Sequence, residues 1–259
     1  MAESRIAAES ACASCRHAAT VLAAGGCDPH DVCIAADNGR RIDRFLRAHP
    51  ELAGDYLADQ FWERRAIAAR YAPLEAIRPL ARDADEVVRR VVASRLPPAE
   101  AAVLMRDDDR EVRITVAHRL DHEELLKMAG DPDYMVRVVV ARRLNHGKLP
   151  RLSQDPEREV RKTVARRLPA FALTRLLADP EPEVRRIVAA RALPHDALLL
   201  LADEDWLVRL AAVQRAPFQA IRACLADPEA DVRRAAWDRL AAGNGDKQST
   251  MENSDEPMG

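Results

Sequence analysis

Four of the five cysteines fall within 22 positions, as Cys12, Cys15, Cys27 and Cys33. Their spacing is C-x2-C, eleven intervening residues, then C-x5-C. Two chemistries gather four thiolates in this way. Zinc takes them in a tetrahedral site, usually from two C-x2-4-C knuckles, and the second pair here is wider than that. An iron–sulfur cubane also takes four thiolates, and its larger body tolerates irregular spacing. The competing reading is that these are small buried hydrophobes or two disulfides, which a reducing compartment and the clustering both disfavour. His17 and His30 stand near enough in sequence to replace a cysteine, although four cysteines suffice. The run is neither the C-x2-C-x2-C-x3-C of bacterial ferredoxins nor the C-x3-C-x2-C of radical enzymes. The residues therefore predict a metal centre at Cys12, Cys15, Cys27 and Cys33, with zinc and a four-iron, four-sulfur cluster both open.

The elements that must position these thiols are short. Residues 3–24 are Ala-rich and predict a helix that stops at Gly25-Gly26. Cys12 and Cys15 would then share one face, a turn apart. Asp28-Pro29 is expected to open a second short helical stretch carrying Cys33, folded back over the first. Phe45, Tyr56, Phe61, Trp62 and Tyr71, half of the ten aromatics, follow at once. They are expected to plug the end of the next structure and to shield the centre from water.

That next structure is a repeat of 24 residues. Val-Arg recurs at Val88-Arg89, Val112-Arg113, Val136-Arg137, Val160-Arg161, Val184-Arg185, Val208-Arg209 and Val232-Arg233, with Arg64-Arg65 one period earlier. An Asp precedes each Val by five positions, from Asp83 to Asp227, with Asp59 leading the series. A third register holds Arg95, Arg119, Arg143, Arg167, Arg191, Arg215 and Arg239. Each unit reads as a helix with the register Asp as N-cap, Pro132, Pro156, Pro180 or Pro228 at the first helical position, and an acidic residue next. Val136, Val139, Val140 and Leu144 form an amphipathic stripe. Pro73, Pro97, Pro169 and Pro217 predict a stop after about 13 residues. The remaining ten or so residues have room for one or two turns, including 3₁₀, but not for a second full helix.

A unit of 24 residues cannot bury both of its apolar faces, so neighbours must stack into a solenoid. Ala93, Ala117, Ala141, Ala165 and Ala189 are small enough to let adjacent helices approach. The domains expected are a cysteine-rich head over residues 1–50, eight repeats over 51–241, and a disordered tail over 242–259. Cys224 occupies the position held by Leu176 and Leu200 in other units and reads as core. Residues 51–240 hold 33 Lys plus Arg and 32 Asp plus Glu, so the Arg registers are expected to pair with Asp of their own or the next unit. The sharper reading of the same ladder is a charged surface exposed to a partner.

The whole chain of 259 residues is 48% apolar but only 4% aromatic, with a formal net charge of −2. An Ala, Val and Leu core suits close-packed helices better than sheets. The charge offers no general attraction to nucleic acid, and no groove rich in positive charge and aromatics is evident. No 18-residue apolar run exists and no signal peptide opens the sequence, which points to the cytoplasm and away from membranes. No phosphate loop, Ser/His/Asp set or convergent carboxylate pair lies outside the repeat registers, so an enzyme is not expected.

The D-P-x-x-x-V-R-x-x-V-A-x-R-L pattern, preceded by Cys12, Cys15, Cys27 and Cys33, resembles the leucine-rich repeat variant family with its N-terminal iron–sulfur domain. The resemblance spans nearly the whole chain apart from the tail. It implies an all-α, right-handed superhelix of alternating α and 3₁₀ helices, with a four-iron, four-sulfur cluster in a small helical head. Arg64 in place of Val and the shifted Leu193-Pro194 depart from the pattern. The family's likeness supplies no defined activity. The expected function is a protein-binding module whose cluster is redox-responsive or structural. The alternative is an electron-transfer protein that docks through its repeats.

Overall fold

The computed structural model describes Cys12 and residues 15–252, with side chains through Ala242. Among the described residues, nine long helices follow one another at Gly39–Ala48, Trp62–Tyr71, Glu86–Arg95, Arg110–Ala117, Tyr134–Arg143, Arg158–Arg167, Pro182–Arg191, Trp206–Val213 and Ala230–Glu252. Between them run short segments that are wholly or partly 3₁₀, among them Arg78–Arg82, Leu149–Leu152, Ala170–Leu176 and Arg222–Ala226. No β-strand occurs among the described residues, so the all-α, alternating α and 3₁₀ expectation holds. The chain forms two compact units, residues 1–128 and 129–259. Within each unit, consecutive long helices pack side by side.

The register Asp does not cap its helix, as the sequence had suggested. The N-cap lies two residues later, at Asp85, Asp109, Asp133 and Asp205, whose carboxylates accept backbone N–H groups of the first turn. The register Asp instead closes the turn before the helix. In all eight units its Oδ1 accepts the N–H two residues on, at 2.9 to 3.0 Å. Pro132, Pro156, Pro180 and Pro228 accordingly sit in this turn and not at the first helical position. Starting later, the helices inside the repeats are eight to ten residues long rather than about 13. Ala72, Leu96 and Leu168 end them with ψ between 142° and 155°, the extended conformation that a following proline imposes.

Within each compact unit, Val-Arg arginines join one repeat to the next. Arg161 donates Nη1 to the carbonyls of Asp155 (2.7 Å) and Pro156 (3.0 Å) in its own unit. Its Nε and Nη2 grip both oxygens of Asp179 in the next, at 2.7 and 3.0 Å. The same 18-residue step joins Arg65 to Asp83, Arg89 to Asp107, Arg137 to Asp155, Arg185 to Asp203 and Arg209 to Asp227. Arg64, the exception to the Val register, grips both oxygens of Asp59 at 2.9 Å and so closes the first rung from within its own unit. The third Arg register behaves differently from expectation. Arg95 donates to the carbonyls of Ala69 and Ala72, and Arg167 to those of Ala141 and Leu144. These are the carbonyls that a helix C-terminus leaves without partners, so the residue caps the preceding helix instead of pairing with an Asp.

The core repeats with the same period. Ile77, Ala101, Leu125, Leu149, Leu173, Ala197 and Ile221 are fully buried, as are Ala93, Ala117, Ala141, Ala165 and Ala189. Cys224 is buried beside Ile221 and Val232, in agreement with its reading as core. The expected tail begins inside the last helix, Ala230–Glu252, because no proline breaks the chain between Pro228 and Pro257. Residues 253–259 lie outside the described residues.

The Arg161 and Asp179 side chains are only 8% and 2% exposed. Arg161→Ala strands the Asp179 carboxylate in the interior and is expected to destabilise the fold by about 3–5 kcal/mol in urea titrations. Burial alone would raise the pKa of Asp83, Asp107 and Asp203, but hydrogen bonds from their arginines and from backbone N–H groups bring the net value below 3.8. A lowered carboxylate contributes stability above its unfolded value and loses it as pH falls through the folded one. Unfolding free energy should therefore be level above about pH 5 and decline below about pH 4, read by denaturant titration across pH.

Candidate metal centre

The Cys12–Cys15 pair is held by a turn in which the Cys15 N–H donates to the Cys12 carbonyl at 3.2 Å. A single π-helical segment, Ala18–Leu22, follows, and Gly25 leaves it in the left-handed region at φ +72°. The π-turn is rare and recurs at functional sites. Of the helix expected over residues 3–24, residues 3–11, 13 and 14 lie outside the described residues. The second expected helix does not form. Asp28 and Val32 pair instead in an isolated antiparallel bridge, with the Asp28 side chain accepting the His30 N–H at 2.8 Å. Pro29 has no N–H to continue a helical ladder, and the Asp28 carboxylate closes the turn in its place.

This turn is tied to the helix Gly39–Ala48, whose N-cap Asn38 accepts the N–H groups of Arg40 and Arg41. Arg44 pairs with Asp31, and the Cys33 N–H donates to the Arg41 carbonyl at 3.3 Å. The result brings all four head cysteines to the lining of one small pocket, together with Leu22, Pro29, Ile34, Ala35 and Phe45. All four are free thiols and partly exposed. Burial first, and then the charges of neighbouring cysteines and Asp28, push Cys12 and Cys27 above the ordinary thiol value. Cysteines gathered in this way are a donor set that a cationic centre would hold as thiolates. Among the described residues, no three His, Cys, Asp or Glu side chains converge closely enough to hold one metal ion. Four cysteines lining one space are the donor set that a four-iron, four-sulfur cluster takes, and their chemistry fits that group.

The inner wall is aromatic. His17 is buried, with Nε2 2.6 Å from the Tyr56 hydroxyl and its ring 5.5 Å from that of Phe45. Burial lowers His17 and pushes Tyr56 up to about 12, so both stay neutral at ordinary pH. Behind them His49 donates its Nε2–H to the Gly26 carbonyl at 2.9 Å. A Cβ on Gly26 would lie 3.0 Å from Val21 and 3.1 Å from His49, which explains the glycine there. His17 is thus engaged by Tyr56, and His30 is exposed and outside the cavity lining. Neither joins the four cysteines. Sequence reasoning missed His49 and the role of Gly39–Ala48, although Arg41 stands one 24-residue period before Arg65.

Residues 8–55 match the family described as "LRV protein FeS4 cluster", and residues 110–133 and 158–181 match "Leucine rich repeat variant". A curated relative, "Uncharacterized 27.7 kDa protein in nifB 3'region" of Rhodobacter capsulatus, is 43% identical over 90 residues. That match spans 35% of this chain and 36% of the relative, about a third of its length. A solved structure described as a leucine-rich repeat variant with a novel repetitive protein structural motif is 55% identical, with a TM-score of 0.84. It aligns with 88% of this chain and 98% of its own. With repeats and head both matched, the chain belongs to the leucine-rich repeat variant family and is an iron–sulfur repeat protein.

Proposed function

We propose that the protein is a binding module for a protein partner, and that Cys12, Cys15, Cys27 and Cys33 hold a four-iron, four-sulfur cluster that sets the stability of its first repeats. The observation that carries this reading is the continuity of one core. Cys15 and Cys27 pack on a cluster of buried residues that includes Ile34, Phe45 and Tyr56 of the head and runs on to Ile67, Val92, Leu96 and Ala101 of the repeats. A cluster held by these cysteines supplies one-electron redox chemistry or a structural clamp. The chain's own part is to orient the sulfurs, through the Asp28–Val32 turn and the Arg44–Asp31 pair, and to keep water from the inner wall with Phe45 and the His17–Tyr56 bond.

The repeats support binding rather than catalysis, because their repeated Asp and Arg are consumed in rungs and helix caps and leave no convergent catalytic set. The same commitment of arginines to Asp and carbonyl groups favours a protein over nucleic acid as partner. Among the described residues, no helix is long and apolar enough to cross a membrane. Free thiols suit the cytoplasm. A second reading, electron transfer with the repeats as docking surface, draws support from the partial exposure of all four cysteines, which keeps the centre near the surface. A cluster that is reversibly reduced in a potentiometric titration favours that reading, and one that is lost on reduction opposes it.

Anaerobically purified protein should contain iron and sulfide and give an EPR signal in one redox state. Cys12→Ser should abolish that signal and lower the stability of the first repeats, whereas Cys224→Ser should leave the signal intact. Disruption by Cys224→Ser with retention in Cys12→Ser would overturn the ligand assignment. Immobilised holoprotein should retain one specific protein partner, with affinity that changes between the oxidised, reduced and cluster-free forms. Absence of a specific partner in all three forms would overturn the binding-module reading.

A further inference from the structure

The outer side of the short segments differs in charge between the two compact units. In residues 1–128 its basic side chains are neutralised by their own neighbours. Arg78 is held by Glu100 at 2.7 Å and Lys127 by Glu124 at 2.6 Å. Glu100 and Glu124 share one register of the 24-residue period. In residues 129–259 that register holds Lys148, Ala172, Asp196 and Ala220. Asp196 is turned inward, its side chain 4% exposed and its Oδ1 3.3 Å from His195 Nε2. It is the one carboxylate in residues 145–151, 169–175, 193–199 and 217–223. The basic positions persist without their acids. Arg151 and Arg175 stand at the register of Lys127, and Arg222 at that of Arg78. All three are exposed, and among the described residues none meets a carboxylate. Beside them stand Phe171, Leu198 and Leu199, 73%, 45% and 66% exposed. Phe171 takes the register that holds Glu75 and Glu123 in the first unit. Leu149, Leu173, Ala197 and Ile221 are fully buried at one register behind this surface, so successive segments lie in step and present these positions together.

We propose that this surface binds an acidic, amphipathic segment of a partner protein. Its carboxylates pair with Arg151, Arg175 and Arg222, and its apolar side chains cover Phe171, Leu198 and Leu199. The inference rests on the reading of the protein as a binding module, and it names the surface used and the chemistry of the partner. Charge selects the occupant. Three arginines with no exposed acid in the same segments leave a positive field that draws carboxylates and repels a basic partner. Each guanidinium offers a carboxylate two parallel N–H donors. Large apolar side chains exposed together mark an interaction site, and covering them removes apolar area from water. A phosphate backbone gives Leu198 and Leu199 nothing to pack against, and one Phe is a single stacking platform, so a protein segment fits better than a nucleic-acid strand.

Fluorescence anisotropy with a labelled peptide of about 12 residues, built of Glu and Leu alone, should show saturable micromolar binding to the holoprotein. Arg151→Glu with Arg175→Glu should weaken it more than about tenfold, as should Phe171→Ser with Leu199→Ser. All four positions are exposed, so circular dichroism and melting should stay unchanged. The arginine variant should in turn bind the matching Lys and Leu peptide, which the wild type does not. No binding of the acidic peptide, binding indifferent to either pair of substitutions, or tighter binding of an oligothymidylate through the same arginines would each overturn the proposal. So would binding that appears only after Asp255→Asn with Glu256→Gln, because the chain's own acidic end would then be the occupant. A specific partner retained equally well with and without Arg151→Glu and Arg175→Glu overturns this surface and leaves the binding-module reading in place. Absence of any partner overturns that reading itself.

Discussion

A buried guanidinium that reaches two repeats at once is the constraint from which the rest of this structure follows. Arg has five N–H donors in one rigid plane, and the ladder arginines direct them to the backbone of one unit and the carboxylate of the next. The carboxylate is itself fixed, because its Oδ1 already closes a turn onto the N–H two residues on. A buried ion pair is weak evidence for net stability, since desolvation offsets much of the attraction. Its effect here is on register. Any slip by one residue would strand an arginine and a carboxylate in the interior at every rung. The strict 24-residue period, the alanines between helices and the prolines that end them are all consequences of holding that spacing.

The second arginine register solves a separate problem. Helices of eight to ten residues expose a large share of their backbone as unpaired terminal groups. An arginine reaching back 23 or 26 residues supplies donors to the last carbonyls of the preceding helix. Turns closed by the register Asp, N-termini capped by Asp85, Asp109, Asp133 and Asp205, and C-termini met by arginine together satisfy the ends of these short helices. The cysteine head uses the same frame. Its helix, Gly39–Ala48, packs on the first repeat helix, and its core is continuous with Ile67, Val92 and Leu96. The cysteine head is therefore built onto the repeats and not merely joined to them.

Much of this was legible in the residues, and the failures have definite causes. The period, the all-helical class and the gathering of Cys12, Cys15, Cys27 and Cys33 were readable because they rest on spacing. The role of the register Asp was misread, since an Asp before a helix caps it far more often than it closes a turn two residues earlier. Arg95 and Arg167 were assigned to Asp because side-chain charge is visible in a sequence, whereas an unpaired helix-end carbonyl is not. The expected helix around Cys33 failed because a five-residue turn, closed by Asp28, satisfied the chain more locally. Arg64, which looked like a defect, is the residue that closes the ladder's first rung.

By itself the sequence determined what recurs: the unit length, the helix-forming segments, the small and large apolar positions and the four thiols, all of which are local or periodic properties. Tertiary structure decided what each polar group is paired with. It sent one arginine register to carboxylates and the other to carbonyls, set His17 against Tyr56 and not among the cysteines, and brought the four cysteines to the lining of one pocket. The reason is physical. Burial of apolar residues follows from pattern alone, but a buried donor must find its acceptor at about 3 Å, and only the folded chain brings residues 18, 23 or 39 positions apart to that distance.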